Sequence, residues 1–159
     1  MIATELERCV AEYIASQYGQ TSTPSGENPI PVKLNDGVLN VHRGEANANI
    51  TLPAVIVSCD STTRETDSYN AMCTLNIVVR IQADPGDDNP EPLAHIDTLS
   101  RVMYDAMLRA DVVARVNLYA GDDFTCIAFP LQSQEKGARE RILEHRLVNT
   151  VYCSNRNLL

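Results

Sequence analysis

From residue 2 to residue 18 the apolar positions Ile2, Leu6, Cys9, Val10, Tyr13 and Ile14 recur mostly at intervals of three and four. That spacing lines one face of a helix, because a helical turn takes about 3.6 residues. Thr4, with Glu5 and Glu7 nearby, suits the helix start, and Gly19 suits its stop. A second stripe of Leu93, Ile96, Leu99, Val102, Met103, Ala106 and Met107 predicts a helix that ends near Arg109. Pro92 falls in its first turn, where a missing N–H is tolerated. The following DVVARVN adds one further helical turn.

Elsewhere the pattern changes to strands. PAVIVSC, from Pro53 to Cys59, is a continuous apolar run with β-branched residues, which predicts a strand covered on both faces. MCTLNIVVRIQA, Met72 to Ala83, alternates: Cys73, Leu75, Ile77, Val79 and Ile81 share one face, while Thr74, Asn76, Arg80 and Gln82 share the other. These two strands are expected to pair. The polar DSTTRETDSYNA between them is too long for a tight turn and is expected to project as an exposed loop. FTCIAFPLQ and ERILEHRLVNTVYCS predict two closing strands joined by the polar SQEKGAR.

Residues 20–53 are rich in Pro, Gly, Asn, Ser and Thr and form a long excursion. Within it Val32 and Leu34, Asp36-Gly37, and Val38 to Val41 suit a small hairpin. The predicted order is helix, excursion, strand, strand, helix, strand, strand. It implies a single α+β domain over residues 1–159, a mainly antiparallel sheet packed against two helices, with long loops and residues 20–52 as the excursion.

Composition narrows the function classes. A chain of 159 residues is long enough to bury about 70% of the surface exposed when unfolded, and with two Phe and no Trp its core must be mostly aliphatic. The net charge of −8 disfavours sequence-specific nucleic-acid binding, which needs clustered Lys and Arg against the phosphates. No apolar run reaches the roughly 20 residues of a membrane span. MIATELERCV has acids where a signal peptide would be basic, so a soluble, cytoplasmically made protein is expected. Cys9, Cys59, Cys73, Cys126 and Cys153 form no CxxC clamp and read as small reduced core residues.

The segment RIQADPGDDNPEP raises the question of a metal site at Asp84, Asp87, Asp88 and Glu91. Its spacing departs from a calcium loop, since Gly86 precedes the aspartates and prolines stiffen both ends. A solvated strand-to-helix turn whose acids favour the helix N-terminus is the simpler reading. His42, His95 and His145 belong to no metal-binding spacing. His95 and His145 read as partly buried residues of a helix and a strand. No nucleophile-elbow, dinucleotide or phosphate-loop motif is present. No catalytic, cofactor or metal residue is therefore assigned. The interleaved charges of EKGARERILEHR suit either a solvated hairpin or a subunit contact that fixes register. Candidate contact residues are Arg139, Glu140, Arg141, Glu144 and Arg146 there, with Arg64, Glu65 and Tyr69 in the polar loop.

LPAVIVSCDSTTRETDSYNAMCTLNIVVRIQA, followed by an acid-and-proline turn and the helix EPLAHIDTLSRVMYDAML, resembles tailed-bacteriophage tail terminator or tail completion proteins in element order. The resemblance runs from Leu52 to about Leu108, and the first helix and closing strand pair agree with it. It implies a structural virion protein of the tail or neck, assembled in the host cytoplasm without a cofactor. Copies would form a hexameric ring that caps the tail tube, halts addition of tube protein and docks the tail to the head connector. DNA would pass through the acidic lumen without specific binding, and no membrane is involved. The alternatives are a head-tail connector or other neck protein, a small metal-dependent enzyme using Asp84, Asp87, Asp88 and His95, and a peptide-binding adaptor.

Overall fold

The computed structural model describes residues 2–17, 30–34, 37–44, 50–64, 70–86, 90–120, 124–139 and 141–155. Outside the described residues lie the helix stop at Gly19, much of the excursion, Glu65, Tyr69, Asp87, Asp88 and Glu140. Among the described residues the chain runs α1 (Ile2–Ser16), β1 (Ile30–Leu34), β2 (Gly37–Arg43), β3 (Ala54–Arg64) and β4 (Asn70–Gln82). It continues through α2 (Pro92–Met107), α3 (Val112–Asn117), β5 (Phe124–Arg139) and β6 (Ile142–Asn155). The strands make one six-stranded sheet in the order β1-β2-β3-β4-β6-β5. All neighbours are antiparallel except β2 and β3. The small hairpin expected within the excursion is the β1–β2 pair. The fold is thus α+β, a mainly antiparallel sheet packed against helices. No helix among the described residues is long and apolar enough to cross a membrane.

Alternation decides which strand residues meet the helices. Val55 and Val57 of β3, Leu75, Ile77, Val79 and Ile81 of β4, and Leu147 and Val151 of β6 face Leu6, Val10, Tyr13 and Ile14 of α1 and Ile96, Leu99, Met103 and Met107 of α2 in one aliphatic core. Burying each such side chain contributes about 1.5–3 kcal/mol. The expected coverage of β3 on both sides also appears. Its other face offers Ala54 and Ile56, which with Val78 lie under Ile50 and Leu52. Those two residues belong to the connection that carries the chain from β2 to its parallel neighbour β3. The connection starts at Gly44, where a φ of 88° lies in the left-handed region that favours glycine.

Several expectations are corrected. The first helix starts at Ile2, so Thr4 lies inside it. The described residues of the predicted exposed loop between β3 and β4 are strand: pairing continues past Asp60↔Thr74 to Arg64↔Ala71, with a register shift between Ser61 and Thr63. Ladder bonds to β4 take up part of the backbone of this polar stretch, and the β-branched Thr62 and Thr63 favour an extended chain. SQEKGAR is likewise not a connecting loop but the second half of β5, so the hairpin turn lies between Arg139 and Ile142.

On α2, Leu93 and Val102 are 70% and 40% exposed rather than packed on the sheet. At about 100° per residue, the buried positions Pro92, Ile96, Leu99, Ser100, Met103, Ala106 and Met107 fill an arc of about 120°. Leu93 and Val102 fall just beyond its two edges, and Ser100 takes an edge position instead. Pro92 does occupy the first turn, but Glu91 at the N-cap makes no capping bond and the first turn holds no acid.

Candidate functional site

The two long hairpins end at opposite ends of the sheet, because Gln82 pairs with Ile142 at one end while Asn70 pairs with Ser154 at the other. Arg64, the last residue of β3, therefore lies far along the sheet from Arg139 and Arg141. Among the described candidates, the structure thus sets Arg64 apart from Arg139, Arg141, Glu144 and Arg146.

At the β5–β6 end, the Ala83 N–H donates to the Arg141 carbonyl at 2.7 Å, fastening the turn after β4 to the hairpin. The Arg141 side chain is 82% exposed and only loosely paired with Asp84, at 3.8 Å. Glu144 and Arg146 are engaged within the chain. Arg80 lies opposite Glu144 in the ladder and donates from Nε at 2.7 Å. Arg146 donates from Nη1 to Asn76 Oδ1 at 3.3 Å and approaches Glu144 at 3.7 Å. This network lies on the sheet face away from the helices, beside the partly exposed Thr74, Val148 and Thr150 and the more exposed Tyr152.

The sheet has two unlike edges. β1 is five residues long and includes the exposed Pro31, which lacks an N–H and blunts the edge. β5 is sixteen residues long. It carries register irregularities between Cys126 and Leu131, then pairs with β6 without a break from Leu131 to Arg139. Ser133 to Ala138 are all exposed. Along this run every second residue directs its backbone N–H and C=O away from β6.

Against β5 stands a polar cluster that no sequence motif marks. His145, 7% exposed, shares a hydrogen bond of 2.9 Å between its Nδ1 and Ser100 Oγ. Its Nε2 lies 3.7 Å from Asp97 Oδ1, and Lys136 Nζ lies 3.6 Å from the same oxygen. Burial, then the positive Lys136, pushes the His145 pKa down, while Asp97 opposes the shift. A cleft of about 230 Å³ opens beside the cluster, lined by Asp97, Ser100, Arg101, Tyr104, Gln134 and Lys136. Small-molecule pockets usually begin near 300 Å³. Ser100 sits in the middle of α2, where the neighbouring N–H groups serve the helix. The cluster's evident work is to tie α2 to β6 and β5. Only chain folding brings Asp97 and Ser100 to His145, and their helical spacing of three was the one local signal.

Among the described residues no three His, Cys, Asp or Glu side chains are grouped to hold a metal ion. Asp84 is joined to Arg141 rather than to another acid. A scan against protein-family models and a search of curated proteins both return no match for this chain.

Proposed function

We propose that this chain is a structural virion protein of the tail terminator kind, whose copies close into a ring, expected to be hexameric. The ring caps the tail tube, stops its polymerisation and joins the tail to the head connector. The outer edge of β5, unpaired among the described residues, carries this reading. An unpaired strand edge is a template for another chain, and proteins that stay single shorten, bulge or cover such edges. β1 is protected in that way, whereas β5 from Leu131 to Arg139 is regular and exposed over Ser133 to Ala138.

A β5 contact with a different surface of the neighbour is head-to-tail, and its repetition closes a ring where the rotation returns to the start. Arg141, exposed beside the hairpin turn, suits a contact with a neighbour. The negative charge of −8 suits a lumen past which DNA slides. A neck protein would share this assembly and differ only in its partner.

Sedimentation and electron microscopy of the purified chain, alone and with tail tubes, test the proposal. Annular particles or end-capped tubes are the expected outcome. A strictly monomeric protein that leaves tube ends bare ends the reading. Binding to connector rings but not to tubes favours the neck assignment.

A further inference from the structure

The five cysteines are far apart in the sequence, yet four of them belong to adjacent strands: Cys59 to β3, Cys73 to β4, Cys153 to β6 and Cys126 to β5. Register places Cys73 opposite Ser61 on one side and Val151 on the other. Cys59 and Cys153 are thus its diagonal neighbours, each two residues from the directly opposed position. All three belong to the helix-facing core, Cys73 and Cys153 fully buried and Cys59 packed at its margin with partial exposure. None of the three is in a disulfide. The neighbouring thiols, Cys153 first and Cys59 second, lower the Cys73 pKa against the opposing effect of burial.

A thiol alone in an apolar core is inert. Here a buried thiol is flanked by two others, and one of these reaches the surface. We propose that Cys59, Cys73 and Cys153 form an oxidisable thiol site, at which a peroxide oxidises Cys59 and Cys73 closes a disulfide with it. The inference does not depend on the assembly reading.

The Cys59 thiolate attacks one oxygen of hydrogen peroxide, the O–O bond breaks, and the departing hydroxide takes a proton to become water. Cys59 is left as a sulfenic acid. The Cys73 thiolate attacks the Cys59 sulfur, an S–S bond replaces the S–O bond, and the second hydroxide leaves as water. Two thiols have then given up two electrons and two protons to one peroxide. Attack by the Cys153 thiolate on the Cys73 sulfur next regenerates the Cys59 thiol and moves the disulfide inward.

The test is a non-reducing peptide map after folded protein is exposed to hydrogen peroxide and its remaining thiols are alkylated. Cleavage after Arg64, Arg80 and Arg146 places the three cysteines on separate peptides. The Cys73 peptide linked within one chain to that of Cys59, or after exchange to that of Cys153, supports the proposal. Full alkylation of Cys59 and Cys73, lasting overoxidation of Cys59 with Cys73 still alkylated, or links only between chains overturns it. Cys59→Ser, a change at the core margin, should retain the native circular dichroism and lose the disulfide. Formation of a Cys73–Cys153 bond in that variant at the wild-type rate would also overturn the assigned order.

Discussion

Removing one oxygen atom from Tyr13 tests how α1 is locked to α2. Tyr13 is 1% exposed, and its hydroxyl donates to the Ala106 carbonyl at 2.7 Å. Ala106 lies in the last turn of α2, where carbonyls lack helical N–H partners. Tyr13→Phe keeps the ring and its packing but leaves that carbonyl buried without this donor. Losing the bond costs about 1–2 kcal/mol, between the net worth of a hydrogen bond and the full penalty of an unsatisfied acceptor. For a chain of this size each kcal/mol moves Tm by about 2–4 °C, so a fall of about 2–8 °C is expected. Urea unfolding should show a lower midpoint with an unchanged slope. A loss below about 0.3 kcal/mol, smaller than any of these contributions, would refute the reasoning.

Burial raises the Tyr13 pKa. The hydroxyl's contribution is therefore complete below its unfolded value of about 10 and is lost as pH rises through the higher folded value. The gap between wild type and Tyr13→Phe should close in that alkaline range.

Asn149 is fully buried and, among the described residues, its side-chain amide has no hydrogen-bond partner at either atom. Asn149→Leu should raise stability by about 1 kcal/mol in urea titration, and an equal fall would contradict the assignment of an unsatisfied amide. His145, whose pKa is depressed chiefly by burial, takes up a proton less readily in the fold than in the unfolded chain. As pH falls below the unfolded value of about 6.5 the unfolded chain binds a proton that the fold resists, so stability drops. His145→Gln should flatten that part of the curve, and an unchanged slope would place its origin elsewhere. Leu99→Ala should cost about 2–5 kcal/mol, whereas Leu93→Gln should stay within about 0.5 kcal/mol. Equal losses in denaturant melts would mean that both residues pack on the sheet.

The elements, their order and most of the core were legible in the order of residues alone. Periodicity is local: a stripe at intervals of three and four marks α1 and α2, and alternation marks β4, because each element must turn one side away from water. The same local rule misplaced Leu93 and Val102, since a stripe does not state how wide an arc the sheet covers. It also took the polar ends of β3 and β5 for loops, although strand pairing satisfies a polar backbone as well as an apolar one. Contacts between distant segments set the rest: the parallel β2–β3 pair, the contrast between edges β1 and β5, and the engagement of Glu144 and Arg146 within the chain. They also joined Ser100 and Asp97 to His145 and lined up Cys59, Cys73 and Cys153 across three strands. Those relations depend on strand order and register, which arise when residues far apart in the chain share one core.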